Sequence, residues 1–399
     1  MKKIAAFFTA AALFLVVIII LHFAFAGSLT TNNYKFGTWI NSYKDSSYKA
    51  ISSNIHDDTV MFMGSSEFHH GKKTPYHPSW VFRKQGMDVM CIGAAYNQSL
   101  THAITLAAAA PLMHNRKVVL MVSPQWFDSE GATPEGFSVR FSESEYMRML
   151  QNKNLSDRTK KCIAERTETL LKNDTSMQNR VIRYNRLFLA KHASFMDRML
   201  YRIRRVFLNE QGTMTVNMAW KASGNKSYDA YVQPKQPASP PDWKALAASA
   251  QTEYSKSSTN KFSMSDKFYI RHIRASLKSK KKAYSSKTYE RSPEYNDLKL
   301  FLDVCHENGI KTELVILPMN GYWYDYCGFP AAKRKVCAEK VTKIGEEYGV
   351  SVCDLTGYSY YKGFFEDAMH PAAKGWVIID EEVYRFFNQG QNFHERRVS

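Results

Sequence analysis

The fold is decided around Thr59-Val-Met-Phe-Met-Gly-Ser-Ser-Glu67, a short apolar run that ends in a glycine and two serines. An uninterrupted apolar run of about four to eight residues, bounded by turn residues, is typical of a strand buried on both faces. Similar runs recur along the chain, and together they predict five strands, at 59–63, 87–92, 117–122, 312–317 and 350–354.

Helical segments separate these strands. Ser292-Pro-Glu294 opens one of them with a capping hydroxyl, a proline in the first turn and an acid at the positive end of the helix dipole. Tyr96–Ala110 and Ala331–Gly349 also have helical patterns, and Pro371 opens the last helix. Alternation of helices with continuously apolar strands predicts an α/β fold of three layers, with a central parallel sheet between helices.

A long excursion, about 123–291, separates the third and fourth strands. Its apolar residues recur mostly every three or four positions, as in Met177–Leu208. We therefore predict a helical insertion within one domain, 59–399, rather than an independent domain. The end of the insertion is basic, since 267–291 holds nine lysines and arginines but one acid, Glu290. A solvated helix face and a contact with polyphosphate or phospholipid both remain open for this segment.

The N-terminus predicts a membrane anchor. The uncharged run 4–26 follows Lys2 and Lys3. In a helix that rises about 1.5 Å per residue, a run of this length crosses a hydrocarbon core of about 30 Å. A cleaved signal peptide is the alternative, but its apolar region usually has only about 7–15 residues. We predict a transmembrane helix at 1–26 and a juxtamembrane connector at 27–58.

The charges that flank the apolar run predict on which side of the membrane the domain lies, and the net charge predicts the kind of partner it binds. Lys2 and Lys3 precede the apolar run, whereas only Lys35 lies in the fifteen residues after it. The positive-inside bias therefore predicts a single-pass cell-membrane protein with its domain outside the cytoplasm. The net charge of +17 predicts an anionic partner, such as the membrane surface or a wall polymer. The predicted location argues against nucleic acid.

The six cysteines do not indicate a metal site. No pair forms a CxxC motif, and no histidine cluster joins them at zinc spacing. Cys91 and Cys353 lie in apolar runs, which favours core packing, while pairing of Cys327 with Cys337 remains open. We predict neither a metal nor another cofactor.

Two short motifs carry the predicted chemistry. Ser65 and Ser66 follow the first strand and Asp367-Ala-Met-His370 follows the fifth, so both lie at the carboxyl edge of a parallel sheet. A serine hydroxyl needs a base to become a nucleophile, and a carboxylate orients that base. Each motif alone is also typical of a turn with a helix cap. Their joint position predicts a triad of Ser66, His370 and Asp367, with Ser65 in the turn.

This arrangement resembles the SGNH hydrolases, which carry a serine after the first strand and Asp-x-x-His near the C-terminus. The resemblance implies that the N–H of Gly93, which follows the second strand, stabilises an oxyanion. Ser123-Pro-Gln-Trp-Phe127 departs from that family, since Gln125 stands where an asparagine donor is usual. The histidines that follow the nucleophile receive no role, because loop histidines are usually solvated (His69, His70 and His77).

A set of motifs resembles the DltD family from end to end: Gly64-Ser-Ser-Glu67, Ser123-Pro-Gln-Trp-Phe127, Asn320-Gly-Tyr-Trp-Tyr-Asp325, Asp367-Ala-Met-His370 and Lys374-Gly-Trp376. The resemblance implies D-alanyl transfer to lipoteichoic acid at the outer face of the membrane, through an acyl-enzyme on serine. It also implies lipoteichoic acid and a membrane-bound O-acyltransferase as partners, with a D-alanyl carrier protein as a further candidate.

Three other functions fit the same residues. An O-acetyl esterase or acetyltransferase of a cell-surface polysaccharide would use the same scaffold, although Ser-Pro-Gln-Trp-Phe argues against it. A non-catalytic docking module would tolerate Ser66→Ala. A thioesterase acting on D-alanyl carrier protein would need the reverse membrane orientation, which Lys2 and Lys3 disfavour.

Overall fold

The computed structural model describes residues 2–25, 30–190, 192–225, 229–232 and 239–388. Its strands form one parallel five-stranded sheet in the order β2-β1-β3-β4-β5. In chain order they are β1 (Val60–Met63), β2 (Val89–Ile92), β3 (Lys117–Val122), β4 (Lys311–Ile316) and β5 (Ser351–Asp354). The predicted parallel sheet is confirmed, and each strand agrees with its predicted run to within two residues at either end.

Helices fill the connections between the strands and most of the insertion. In chain order they are α1 (Lys2–Phe25), α2 (Ser42–Asp45), α3 (Tyr48–Ser52), α4 (Pro78–Lys84), α5 (Ser99–Ala109), α6 (Pro134–Arg140), α7 (Glu143–Met149), α8 (Asp157–Leu170), α9 (Thr175–Phe188), α10 (Phe195–Ala222), α11 (Trp243–Ser257), α12 (Asp266–Phe268), α13 (Leu277–Lys280), α14 (Glu294–Glu307), α15 (Gly321–Tyr326), α16 (Ala331–Glu347) and α17 (Ala373–Asn388). The last helix begins two residues after Pro371, because Pro371 pairs with Phe365 in an isolated β-bridge.

The sheet is buried on both faces. Side chains alternate along a strand, so Met61 and Met63 of β1 join a core with α5, α14 and α16. Val60 and Phe62 point the other way and join a second core with α4, α11 and α17. Two helical layers therefore enclose the sheet, and the predicted α/β architecture is confirmed.

The segment between β3 and β4 extends the first of these cores. Tyr146 of α7, Ile163 of α8, Val181 of α9 and Trp220 of α10 are buried in the same cluster as Met61 of the sheet. α5, which connects β2 to β3, packs against both α7 and α14. The helices of this segment are thus packed onto the sheet rather than standing apart from it.

Residues 30–58, expected to connect the anchor to the domain, are packed into it. Lys44 in α2 has no exposed side-chain surface, and its ammonium group donates to the carbonyls of Gly37 and Cys91. The same ammonium lies 3.6 Å from the Asp45 carboxylate, whose side chain is also buried. The Lys44 ammonium therefore joins this segment to the end of β2.

α1 is uncharged and almost wholly apolar after Lys2 and Lys3, and none of its residues is buried by the rest of the chain. Among the described residues it is the one helix whose length and composition suit a membrane span. All six cysteines lie in the described part of the chain and are free thiols, so Cys327 and Cys337 are not bonded to each other.

Candidate active site

The first strand ends in a turn that presents Ser66. Ser65 is buried, where its hydroxyl donates to the Ala94 carbonyl at 3.1 Å and its N–H donates to the Glu67 carboxylate at 2.7 Å. Ser66 opens a short 3₁₀ helix, Ser66–His69, and remains partly exposed. The turn therefore binds the Ser65 hydroxyl and leaves the Ser66 hydroxyl at the edge of the sheet.

The three side chains predicted to form a triad lie in one hydrogen-bonded row. The Ser66 Oγ is 2.8 Å from His370 Nε2, and His370 Nδ1 is 2.7 Å from Asp367 Oδ2. The other oxygen of Asp367 accepts the backbone N–H groups of Met369 and His370, each at 2.8 Å. The carboxylate thus orients the imidazole, and the imidazole can accept the Ser66 proton.

The electrostatics of the row favour a charged Asp367 and an imidazole ready to take a proton. Burial disfavours the imidazolium, but the hydrogen bond with Asp367 and the charges of Asp367, Glu67 and Glu366 together raise the pKa of His370. Burial likewise opposes the carboxylate, but hydrogen bonds from His370 and from the Met369 N–H hold the pKa of Asp367 below its usual range. Asp367 is therefore ionised when His370 becomes protonated.

A cavity of about 470 Å³ opens beside Ser66, and Gln125 lies in its wall. Several aromatic side chains also line the cavity, together with one carboxylate and one ammonium: Tyr96, Trp126, Phe137, Tyr284, Tyr289, Tyr324, Asp128 and Lys287. Tyr96 has a φ of +71°, which is rare for a bulky residue and typical of functional sites. Lys287 brings the end of the basic segment to this cavity.

Gly93 takes a different position from the other predicted site residues. Its N–H donates to Asp45 Oδ2 at 3.1 Å, and Gly93 does not line the cavity. A Cβ at this position would lie 2.7 Å from the Gly64 carbonyl oxygen and 2.6 Å from the Phe68 ring, so only glycine fits where β1 and β2 end side by side. The role of the Gly93 N–H as an oxyanion donor stays a prediction. It requires that the hydrogen bond from this N–H to Asp45 is broken.

A comparison with protein families matches the family described as "DltD protein" over residues 33–388. The chain belongs to the DltD family. This membership confirms the resemblance drawn from the motifs and supports a part in the D-alanylation of teichoic acids.

Curated members of the DltD family match most of the chain. Protein DltD of Bacillus subtilis (strain 168) is 27% identical over 347 residues, which cover 82% of this chain and 82% of the relative. Protein DltD of Staphylococcus aureus (strain NCTC 8325 / PS 47) is 27% identical over 330 residues, which cover 80% of this chain and 78% of the relative. Protein DltD of Lacticaseibacillus rhamnosus is 23% identical over 348 residues, or 83% and 78%.

One DltD-like motif, Asn320-Gly-Tyr-Trp-Tyr-Asp325, holds the loop of Asp367 and His370 in place. The Asn320 N–H donates to the Ala368 carbonyl at 3.0 Å, and its side-chain amide donates to the Asp367 carbonyl at 3.3 Å. Its side-chain oxygen accepts the Trp323 N–H at 3.1 Å and so caps α15. A single buried asparagine thus connects the start of α15 to the backbone beside His370.

A second DltD-like motif, Lys374-Gly-Trp376, positions His70, for which the sequence alone predicts no specific role. The Trp376 indole N–H donates to the His70 carbonyl at 3.0 Å. The His70 ring stacks on His370 with centroids 3.9 Å apart, and its Nδ1 lies 3.1 Å from Glu366. His70 therefore covers one face of the catalytic-base candidate. Its position four residues after Ser66 was the one available signal.

His77, by contrast with His70, caps a helix and does not contact His370. His77 is buried, accepts the Ser79 N–H at 3.1 Å to cap α4, and has its pKa lowered to about 3 by burial.

His70, Asp367 and His370 hold potential metal-ligand atoms within 4.8 Å of one another. Both ring nitrogens of His370 already bind Ser66 and Asp367, so a metal ion would have to displace the triad's hydrogen bonds. Absence of a metal stays a prediction.

Glu67→Gln is expected to move the acid limb of the reaction to lower pH. The neutral imidazole is the form that accepts the Ser66 proton, so reactivity falls as pH decreases through the His370 pKa. Glu67 is one of the charges that raise this pKa above 6.5, and the amide keeps an oxygen for the Ser65 N–H. A downward shift of less than about 1 pH unit is expected in the rate of fluorophosphonate labelling. An unchanged limb would contradict the effect of the Glu67 charge on the pKa of His370.

Proposed function

We propose that the chain transfers D-alanyl groups to lipoteichoic acid through an acyl-enzyme on Ser66. The observation that carries the proposal is the hydrogen-bonded row of Ser66, His370 and Asp367 beside a cavity, in a chain of the DltD family. A serine–histidine–carboxylate row of this kind suits acyl transfer, and the enzyme class that we propose is the SGNH type of serine enzyme.

Two half-reactions account for the transfer. In the first, His370 Nε2 accepts the Ser66 proton while Oγ attacks the carbonyl carbon of an activated D-alanyl group. His370 then gives the proton to the leaving group, and D-alanine remains as an ester on Ser66. In the second, His370 accepts a proton from a glycerol-phosphate hydroxyl, which attacks the ester and releases Ser66 with its proton.

Backbone and side-chain donors are needed for the oxyanion that forms in each half-reaction. The Ser66 N–H and the side-chain amide of Gln125, which lies in the cavity wall with Ser66, supply two of them. The Gly93 N–H supplies a third once Asp45 has turned away from it.

The cavity suits an anionic acceptor that carries a short acyl group. Lys287 places an ammonium in the wall, and the rest of the basic segment, 267–291, leads away from it along the chain. Phosphate groups of a polymer would be attracted to this segment. Tyr96 and Tyr284 offer ring faces to the D-alanyl ammonium.

The proposed location is the outer face of the cell membrane, with α1 as a single-pass anchor and Lys2 and Lys3 on the cytoplasmic side. The acyl donor would then be presented by a membrane-bound O-acyltransferase, and a D-alanyl carrier protein remains a further candidate partner. Residues 27–58 would lie outside the membrane, next to the domain of 59–399.

The function is tested in a strain that lacks this chain, complemented with wild type, Ser65→Ala or Ser66→Ala. Wild type and Ser65→Ala are expected to restore alkali-labile D-alanine on lipoteichoic acid, whereas Ser66→Ala leaves it at the level of the deletion. Acetate released from surface polysaccharide is measured in parallel. Restoration by Ser66→Ala would favour the docking module, and a change in acetate alone would favour the O-acetyl enzyme.

A further inference from the structure

α10 carries an apolar stripe on the side that faces away from the protein. Phe195, Ile203 and Val206 are 80%, 59% and 65% exposed, whereas Tyr201 and Leu208 pack into the core from the opposite side of the helix. The exposed apolar residues recur every three or four positions and so share one face: Phe195, Met196, Met199, Leu200, Ile203, Val206 and Phe207. A helix that only covers a core has polar residues on its outer face.

Basic side chains border the stripe. Arg198, Arg202 and Arg205 alternate with its apolar residues along the chain, and Arg183 of α9 lies in a groove shared with Ile203. An exposed apolar face flanked by arginines is typical of a helix that lies in the interface of an anionic bilayer. A contiguous apolar patch of this kind can also bind a protein partner. The residues next to the stripe therefore decide between lipid and protein as its occupant.

The C-terminal end of α1 contacts α10 close to the stripe. His22 Nδ1 lies 2.5 Å from Glu210 Oε1, and the Lys221 ammonium donates to the Ala24 carbonyl at 3.2 Å. Positions 203, 210 and 221 are separated by about two and three helical turns, so α1 contacts the same face that carries the stripe. α1 therefore contacts the outer face of α10 in the second half of the helix, and the first half of that face is bare.

The two helices cross rather than run side by side. Glu210 and Lys221 are about 16 Å apart along α10, whereas their partners His22 and Ala24 are about 3 Å apart along α1. A helix that crosses the end of a membrane span lies along the membrane surface when the span is near the bilayer normal. The bare apolar face of α10 then meets lipid where α1 leaves the bilayer.

We infer that the outer face of α10, from Phe195 to Phe207, inserts into the interfacial region of the anionic leaflet at which α1 ends. The occupant of the stripe is lipid, since the stripe is continuous with the contact surface of α1 and has a basic border. This inference rests on the proposed anchoring by α1. Two attachments, α1 and α10, would hold the domain in one orientation on the membrane.

The test uses the full-length chain in nanodiscs of phosphatidylglycerol and phosphatidylcholine, with the scaffold protein of the disc as the one other protein present. Spin labels are placed at Ile203→Cys, at Leu13→Cys in α1 and at Val139→Cys, an exposed apolar position on α6, in a Cys162→Ser/Cys353→Ser background that removes the native thiols that are not buried. Accessibility to oxygen relative to a water-soluble nickel chelate is expected to be several-fold higher at 203 and 13 than at 139.

The outcomes separate the inference from the anchoring on which it rests. A lipid-exposed label at 13 with a water-exposed label at 203 overturns the inference and leaves the anchor in place, and the stripe would then belong to a protein partner. Water exposure at 13 refutes the anchor itself. A second label at Val206→Cys guards against a local effect of one substitution and is expected to behave as at Ile203→Cys.

Discussion

Ser66→Ala is expected to abolish covalent labelling of the full-length chain by a fluorophosphonate. The reagent reacts with a serine whose proton is accepted by a neighbouring base, and the Ser66 Oγ lies 2.8 Å from His370 Nε2. Removal of a nucleophile or base from a serine triad lowers reaction rates by a factor on the order of 10⁴ or more. Labelling is followed by gel fluorescence, and mass spectrometry identifies the modified residue.

Two matched variants make this result specific. Ser65→Ala is expected to keep the label, because the Ser65 hydroxyl donates to the Ala94 carbonyl and is buried. His370→Ala is expected to lose the label while Ser66 remains in place. Labelling that disappears with Ser65→Ala and persists with Ser66→Ala would reverse the assignment of the nucleophile.

Lys44→Met is expected to destabilise the domain by about 3–5 kcal/mol. The Lys44 side chain has no exposed surface, and its ammonium lies 3.6 Å from the buried Asp45 carboxylate. Burial raises the pKa of Asp45, while the Lys44 charge opposes that rise. Without Lys44, the carboxylate is left buried without its counter-charge. Urea unfolding of the full-length chain in detergent measures the loss in the free energy of unfolding.

Lys49→Met is the matched control, because Lys49 in α3 is exposed and its loss is expected to cost less than about 0.5 kcal/mol. The double variant Lys44→Met/Asp45→Asn is expected to recover part of the loss, since it leaves no unpaired charge in the core. If Lys44→Met is as mild as Lys49→Met, the pair is not ionised in the folded chain.

Local patterns were sufficient for the sheet. The strands are short, continuously apolar and bounded by turn residues, so their positions follow from the sequence to within two residues. Their parallel arrangement follows from the helices between them. The proximity of Ser66 and His370 follows in turn, because the carboxyl ends of parallel strands share one edge. Their catalytic roles stay predictions.

Other features depend on contacts that no local pattern encodes. The polar, mixed composition of 27–58 predicts a juxtamembrane connector and gives no sign that Lys44 and Asp45 within it are buried together. The same pairing places Asp45 on the Gly93 N–H. The loop position of His70 is compatible with a solvated side chain or with one that lines the pocket, whereas in the structure Trp376 holds its backbone and its ring stacks on His370.

The sequence alone is sufficient for the strands, the apolar N-terminal helix, the family and the residue types of the site, because each depends on periodicity or on neighbours within a few positions. The tertiary structure decides which polar groups meet. Ser66 and His370 are 304 positions apart, and the partners of Asp45, His70 and the outer face of α10 are set by packing between distant segments. A residue's neighbours in space depend on how helices and strands stack, so its burial and charge partners appear only once the chain is folded.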